Sequence, residues 1–556
     1  MCDRAVGPSG AATVVEFPPH SEGGTRVCDN LPVSAESPPL PSLRTLRILE
    51  VVLLLGLGAV LVRCAWQSDD AYITFRTVSN WCHGYGLRWN AVERVQSYTH
   101  PLWMLAAAAC FVLSGDVYYS TIALSIALTL LTAIVLARTA RSEAYGLLAV
   151  VLFAGSFATI DFAVSGLETP LLILLLALLV AVARREPPPL LTLALLASFI
   201  GLTRLDALLL VAPLFAVILW GRVTRATVTQ LAIGALPLAL WHAFSLFYYG
   251  FLFPNTAYAK LGLHVPLTAL LLRGAVYLAD SLRRDPLTLL VILGGVRTAS
   301  VHGTRVEKSL AAGVALYLLY VVRIGGDFMS GRFLVAPFTV GVALLGSEPL
   351  WQRRRPTLVA AAVTLAICAA LPDARLRSGV DFGSDAPPED HVRDTGIADE
   401  RAYYYPSTGL LAVWRRRHEI VADRLPVPPH RWSIAGAKAA ADGVKAMPVP
   451  EVGFFGYFAG PSVHIVDLFA LSDPLLARLP FDPTGEFRVG HYVRRLPQGY
   501  GRSVVGDNVV VDPRVHAYYD VLRLITRGPL LSGARLLAIA RMQAGLGPPR
   551  PPSDYF

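Results

Sequence analysis

Two adjacent carboxylates, Asp69 and Asp70, stand directly after the first long apolar run, in Ser68-Asp69-Asp70-Ala71-Tyr72-Ile73. An acidic pair at the end of a membrane span lies at the depth of lipid headgroups, where the phosphate of an embedded lipid is found. A carboxylate there could take the proton of an acceptor hydroxyl or hold a divalent cation, which makes Asp69 and Asp70 the candidate catalytic pair and the candidate metal ligands. The competing reading is a helix cap, since Ser-Asp-Asp ahead of a helical pattern is good capping chemistry. Adjacent residues on a helix point about 100° apart, so the two carboxylates are not expected to share one job.

Further polar motifs interrupt the apolar sequence: Ser165-Gly166-Leu167-Glu168-Thr169-Pro170, Thr203-Arg204-Leu205-Asp206, Phe253-Pro254-Asn255-Thr256 through Lys260, and Gly325-Gly326-Asp327 through Gly331-Arg332-Phe333. Singly, each has a structural explanation. Proline suits the first turn of a helix, Arg204 and Asp206 could pair, and Gly-Gly or Asn-Thr is turn chemistry. Together they supply three cations, Arg204, Lys260 and Arg332, suited to clamping a phosphate. Glu168, Asp206, Asn255 and Asp327 complete the candidate set for binding a phosphorylated sugar donor.

The elements that must position these residues follow from composition. The chain has 556 residues, 54% hydrophobic and 16% charged, with mean hydropathy +0.51; a soluble domain carries about 25% charged residues. Apolar runs flanked by arginines recur from about residue 46 to 372, so residues 44–372 are expected to form a polytopic helical membrane domain. Residues 1–43, rich in Pro, Gly and Ser, are expected to be a disordered cytoplasmic tail without signal-peptide logic. Residues 373–556 have ordinary soluble composition and are expected to form a water-facing α/β domain. The net charge of +9 does not point to nucleic acid, because the basic residues are dispersed beside apolar runs and lysine occurs only at Lys260, Lys308, Lys438 and Lys445. Cys2, Cys28, Cys64, Cys82, Cys110 and Cys368 show neither metal spacing nor a disulfide framework.

Charge bias sets the expected topology. The run 101–113 is shorter than the roughly 20 residues that cross a bilayer, and is expected to be interfacial or re-entrant. Eleven spans then remain: 46–65, 118–138, 144–162, 167–183, 189–203, 206–220, 228–248, 286–299, 309–323, 333–348 and 356–372. With this parity Arg138/Arg141, Arg184/Arg185, Arg222/Arg225, Arg297/Arg305/Lys308 and Arg353/Arg354/Arg355 fall in the cytoplasm, as does the N-terminus. The polar motifs and the C-terminal domain fall outside, where the motifs are expected to share one cavity.

In order along residues 46–530, the motifs Asp69-Asp70-Ala71-Tyr72-Ile73, Gly166-Leu167-Glu168-Thr169-Pro170-Leu171, Thr203-Arg204-Leu205-Asp206, Phe253-Pro254-Asn255-Thr256, Gly325-Gly326-Asp327-Phe328-Met329 and Gly331-Arg332-Phe333 resemble the GT-C glycosyltransferases that use lipid-linked sugars. Within these, the sequence is most similar to the terminal β-(1→2) arabinofuranosyltransferases of mycobacteria and corynebacteria. The C-terminal segments Gly453-Phe454-Phe455-Gly456-Tyr457-Phe458, Val466-Asp467-Leu468, Leu471-Ser472-Asp473-Pro474 and Gly490-His491-Tyr492 carry the same resemblance. Tyr72, where phenylalanine is expected, and Leu205, where proline is common, depart from the pattern and leave room for a relative using another sugar.

The resemblance implies an enzyme of the cell membrane, active in cell-wall biogenesis. It would move arabinofuranose from decaprenyl-phosphoryl-arabinose onto the arabinan of arabinogalactan and lipoarabinomannan, with the acidic pair Asp69/Asp70 as catalytic carboxylates. The leaving phosphate needs charge stabilisation more than protonation, and the acceptor hydroxyl needs a base. A β-linked donor giving a β-linked product would instead ask for a nucleophile, with Asp69, Asp70 and Glu168 available. Tyr457, Asp467, Asp473 and His491 are the candidate acceptor-binding residues of the C-terminal domain, aromatic faces being suited to sugars; a buried strand with Phe454 and Phe455 as core is the alternative. The rival functions are a mannosyl or other transferase with the same lipid-phosphate chemistry, a lipid-linked-sugar flippase, and a membrane scaffold. The sequence shows no internal repeat of the kind transporters carry.

Overall fold

The computed structural model describes residues 41–221, 223–261, 265–371, 373–482 and 488–551. The expected tail up to position 40, with Cys2 and Cys28, lies outside the described residues, and so does Arg222. The chain begins on α1 (Leu43–Cys64), capped by the Ser42 hydroxyl, which accepts from the Thr45 N–H. At its far end the 65–68 link turns into α2 (Asp69–Cys82). The Ser68 hydroxyl accepts from the Ala71 N–H, which starts the helix with both carboxylates in its first turn. Next comes α3 (Pro101–Ser114), opened by proline and stopped by Gly115 at φ 72°.

The helical bundle continues through α4 (Tyr118–Arg138), α5 (Glu143–Gly155), α6 (Phe157–Phe162), α7 (Thr169–Ala183), α8 (Leu190–Thr203), α9 (Leu208–Leu219), α10 (Arg225–Tyr248), α11 (Asn255–Lys260), α12 (Leu267–Arg284), α13 (Pro286–His302), α14 (Arg305–Arg323), α15 (Val335–Leu345) and α16 (Arg354–Ala370). Among the described residues α1, α4 and α10 are long and apolar enough to cross a membrane, and α5 with α6 would add a fourth as a pair bent by 72°. The other apolar helices, α3 among them, run 10–17 residues. The count of eleven full-length spans is therefore not reproduced. The physical reason is visible in α7, which is buried along nearly its whole length between α4, α8 and α15. A helix surrounded by protein need not match the bilayer thickness, because its ends are satisfied by neighbouring segments.

The two ends of α7 sort the polar residues. Glu168 stands just before its first residue and Arg184 just after its last, about 24 Å apart at 1.5 Å rise per residue. Arg141 and Arg184, from two of the connections expected to be cytoplasmic, converge on Glu307 in the first turn of α14. At the other end Glu168 meets Arg204 and Arg332.

Beyond residue 373 the chain forms α17 (Glu400–Thr408), α18 (Leu410–Arg415), α19 (Arg417–Ala422), α20 (Arg431–Ala441), β1 (Ala446–Val449), α21 (Gly453–Ala459), β2 (His464–Asp467), α22 (Tyr500–Ser503), α23 (Pro513–Arg527) and α24 (Gly533–Gln543). β1 and β2 pair in parallel, Ala446 opposite His464 and Val449 opposite Asp467, with α21 as the crossover. The α/β character is thus confined, among the described residues, to one two-stranded sheet set in helices and loops. The change of composition at 373 is not a break in packing: from Pro41 onward the chain is one compact unit. The Leu410 N–H donates to the Ala65 carbonyl and the Tyr118 hydroxyl to that of Thr408, which seats α17 and α18 on the ends of α1 and α4. α21 packs on α2, bringing the C-terminal segment against the acidic pair.

Candidate active site

Asp70 opens onto a cavity of about 790 Å³. Its charged end is built by side chains from five separate stretches: Asp70 on α2, Glu168 before α7, Arg204 and Asp206 in the turn between α8 and α9, Lys260 at the end of α11, and Asp327 and Arg332 in the loop before α15. Arg332 sits at the centre, 3.4 Å from Glu168, 3.8 Å from Asp327 and 3.9 Å from Asp70. Arg204 bonds Glu168 at 3.2 Å and makes a two-pronged pair with Asp206 at 3.0 and 2.6 Å. Its guanidinium also lies over the Phe333 ring, 4.6 Å from the centroid, so the fork is held in one plane. From this end the cavity runs along an apolar wall of Leu238 and Trp241 on α10, Leu252 and Phe253, and Leu267 and Leu270 on α12.

The local sequence explains the placement. Gly166 adopts φ 81°, and a Cβ there would sit 2.0 Å from the Gln67 side-chain oxygen, so the turn before Glu168 can fold against the 65–68 link only with glycine. Leu205–Ala207 is a single 3-10 turn between α8 and α9, which leaves Arg204 and Asp206 outside both helices and free to pair. Gly331, at φ 79°, redirects the chain so that Arg332 starts the turn leading into α15.

Electrostatics sets the charge states. Burial opposes ionisation of Glu168, but the guanidinium groups of Arg332 and Arg204 outweigh it and hold the carboxyl well below the usual carboxylate range. Burial raises Asp70 above the ordinary carboxylate range, with Arg332 and Lys260 pulling the other way and Asp327 and Glu168 adding to the rise. A carboxylate made more basic in this way is a better proton acceptor.

The rest of the expected residues lie elsewhere. The Asp69 carboxylate does not line the cavity; it accepts from the Gly453 N–H at 2.9 Å and the Phe454 N–H at 2.6 Å, at the start of α21. Burial pushes this carboxyl up to about 7 against the pull of those two donors. The acidic pair accordingly splits into one residue facing the cavity and one tying two segments together, as their angular separation on a helix requires. The two carboxylates are engaged separately, Asp69 by backbone N–H groups and Asp70 towards Arg332. Among the described residues no cluster of three or more His, Cys, Asp or Glu is placed to hold a metal ion.

Asn255 is likewise structural: its amide donates to the carbonyls of Ala470 and Asp473 and accepts from Arg478, bolting α11 to the 470–478 loop. Asp467 accepts from the Phe469 and Ser472 N–H groups and from the Ser472 hydroxyl, and burial raises it to about 6. Asp473 accepts from the Leu475 and Leu476 N–H groups and from the Tyr500 hydroxyl, and burial raises it to about 8. His491 stands edge-on between Phe328 and Phe469, with ring centroids 4.3 and 4.7 Å away. Tyr457 packs against Tyr72 and Phe458. These four do not line the cavity; Leu471, Gly490 and Tyr492 beside them do. Phe454 and Phe455 are buried, as the core reading has it, though on a helix and not a strand.

His100 and Thr74 are among the lining residues that the sequence did not single out. His100, just ahead of α3, lies 3.3 Å from Glu168 through Nδ1 and 2.8 Å from the Thr74 hydroxyl through Nε2. The signal available was a histidine directly before the proline that opens a helix; nothing in the sequence marks Thr74.

No family model matches the sequence. The chain is 28% identical over 540 residues to a terminal β-(1→2)-arabinofuranosyltransferase of Mycobacterium tuberculosis, an alignment spanning 81% of this chain and 84% of that protein. It is 31% identical to the protein of the same name from Corynebacterium glutamicum, over 49% of this chain and 46% of that one. Among solved structures, ArnT from Cupriavidus metallidurans bound to undecaprenyl phosphate superposes with a TM-score of 0.48 at 13% identity, covering 78% of this chain and 88% of that chain. The resemblance read from the sequence is borne out by the two sequence relatives.

Proposed function

We propose, from the premise that the chain is a membrane glycosyltransferase related to the terminal β-(1→2)-arabinofuranosyltransferases, that it transfers arabinofuranose from decaprenyl-phosphoryl-arabinose to the ends of a cell-wall arabinan by β-(1→2) linkage. The observation that carries this reading is the single cavity joining Asp70, the cations Arg204, Lys260 and Arg332, and a long apolar wall. A polyprenyl-phosphate sugar has the same order of parts: an apolar chain, a phosphate and a sugar. The chain would lie along Trp241, Leu252 and Leu267, and the phosphate would meet Arg204, Lys260 and Arg332. Among the described residues no carboxylate comes within the 4 Å of an ion pair to Lys260, so its ammonium, in the cavity wall, is open to an anion.

As the glycosidic bond to phosphate breaks, negative charge grows on the phosphate oxygens, and fixed guanidinium and ammonium donors stabilise it without reorganising. Asp70, across Arg332 from Glu168, takes the proton of the incoming sugar hydroxyl as the new bond forms. If the product anomer is retained, Asp70 serves as nucleophile in a double displacement, since Asp69 is bound to backbone N–H groups and Glu168 is held by two arginines. The acceptor enters past Leu471, Gly490 and Tyr492, which gives the C-terminal segment its part in holding the polysaccharide. In the membrane the Glu307 end, rich in arginine, faces the cytoplasm and the cavity faces outward.

The test is transfer by membranes containing the protein, with decaprenyl-phosphoryl-arabinose and a short arabinan acceptor, followed by linkage and anomer analysis. The expected product is one terminal β-(1→2) arabinofuranose. Transfer of mannose or another sugar in its place would move the chain to a different donor. Passage of the lipid across vesicles with no new glycosidic bond would overturn the reading in favour of a flippase.

A further inference from the structure

Thr74, His100 and Glu168 stand in line in the cavity wall, Thr74 hydrogen-bonded to His100 and His100 Nδ1 3.3 Å from Glu168, and the polarity of the line can be worked out from its fixed end. Glu168 is an ionised carboxylate: Arg204 and Arg332 both bond its Oε1, while Oε2 is buried with no hydrogen-bond partner apart from the approach of His100 Nδ1 at 3.3 Å. That oxygen requires a donor. Thr99 Oγ1, also 3.3 Å from Nδ1, can accept from the same nitrogen. Nδ1 therefore carries the proton, and in a neutral imidazole this leaves Nε2 as an acceptor only. Nε2 lies 2.8 Å from Thr74 Oγ1, so the threonine hydroxyl must donate to it.

The line crosses the site. Thr74 belongs to α2, one turn after Asp70; His100 precedes α3; Glu168 precedes α7 and is the common partner of the two cavity arginines. We infer that His100 is a positioning residue which, as a neutral Nδ1–H imidazole, couples the helix carrying Asp70 to the arginine pair through Thr74 and Glu168. It holds Glu168 in one rotamer without adding a third positive charge, so the guanidinium groups keep both their orientation and their capacity for an anionic ligand. The groups that act electrostatically on the ring agree with a neutral state. Glu168 favours the imidazolium, Arg332 and Arg204 oppose it, and burial, the largest effect, lowers its pKa to about 4.

The inference rests on the transferase reading, and two measurements keep them apart. The first needs no turnover: nitrogen-15 spectra of the histidine-labelled full-length protein in detergent, assigned by comparison with His100→Asn. A protonated Nδ1 and a bare Nε2 that do not titrate between pH 5 and pH 8 are expected; an imidazolium, or the opposite tautomer, overturns the inference whatever the enzyme's substrate.

The second is a series of donor-saturation curves. Asparagine can place an N–H near the position of Nδ1, so His100→Asn should keep the half-saturating donor concentration within a few-fold, whereas His100→Ala, leaving Glu168 Oε2 unsatisfied, should raise it about tenfold or more with a smaller change in maximal rate. Thr74→Val should fall between them. Equal behaviour of His100→Asn and His100→Ala overturns the inference, as does an unchanged half-saturation in Thr74→Val and His100→Ala together. If His100→Ala does not fold, the Asn and Val variants and the spectra decide. A wild-type protein that transfers no lipid-linked sugar defeats the transferase reading while leaving the tautomer test in force.

Discussion

Each end of α7 holds a buried glutamate gripped by two arginines, and the two arrangements serve different ends. At Glu307 the carboxylate receives Arg141 through both oxygens, Arg184, the Ser347 hydroxyl and the Thr304 N–H, and the space lined by its two arginines amounts to about 10 Å³. At Glu168 the same residue types surround a cavity of about 790 Å³, one carboxylate oxygen is met only by His100, and the arginines divide themselves among Glu168, Asp206, Asp327 and Asp70. A closed cluster has spent its hydrogen-bonding capacity on itself. An open one keeps donors for a ligand. Residue type alone does not separate a structural clasp from a binding site; the count of satisfied atoms and the adjoining space do.

The comparison can be broken at its strongest point by changing Asp70. Asp70→Asn should lower transfer per folded molecule by about 10²- to 10⁴-fold with little change in thermal midpoint, and Asp69→Asn should show the reverse bias, a lower midpoint with most transfer retained. Equal losses of activity in the two variants would mean that the acidic pair works as a unit. At the closed end, Glu307→Ala leaves Arg141 and Arg184 unpaired, and should cost about 3–5 kcal/mol in denaturant unfolding while the surviving folded enzyme turns over at the wild-type rate. Loss of turnover in folded Glu307→Ala would remove the distinction between the ends.

Smaller effects sharpen the contrast. Arg332→Gln should raise the half-saturating donor concentration roughly 10- to 30-fold, equivalent to about 1.4–2 kcal/mol, read from saturation curves at fixed acceptor. The smallest expected effect is on stability against pH. The folded Glu168 carboxyl lies near 2 against an ordinary 4.5, so its ionised form stabilises the fold fully above the unfolded value, and that contribution fades as pH falls toward 2. Between pH 7 and pH 4 the loss is less than about 1 kcal/mol, measurable as the difference in unfolding free energy between wild type and Glu168→Gln. A difference that grows on acidification would contradict the sign.

Much of the open end was legible in the sequence. Glu168, Arg204, Asp206, Lys260, Asp327 and Arg332 interrupt apolar stretches, where charges are costly unless they meet one another or a ligand, and all six line the cavity with Asp70. Asp69, Asn255, Asp467 and Asp473 look the same in sequence but are occupied by nearby or newly apposed backbone groups. Those partners exist only once the 450–475 region has folded against α2 and α11. His100 offered only the signal of a histidine before the proline that opens α3, since its partners Thr74 and Glu168 come from α2 and the turn before α7. The positions of the apolar helices were legible, α7 at Thr169–Ala183 against an expected 167–183, but hydropathy treats every apolar run as facing lipid, while α7 faces protein on nearly every side.

The Asp69 latch has a consequence for how the enzyme comes into being. A Cβ at Gly453 would sit 1.8 Å from the Asp69 carbonyl oxygen, so the start of α21 presses directly against the turn that carries Asp70. Asp69 and its backbone partners are separated by 384 and 385 residues of chain. During synthesis the acidic turn is made early and its fastening last. A ribosome-bound or truncated chain can thus thread its apolar helices and still leave the acidic turn without the Gly453 and Phe454 N–H groups, which lie in the final fifth of the protein.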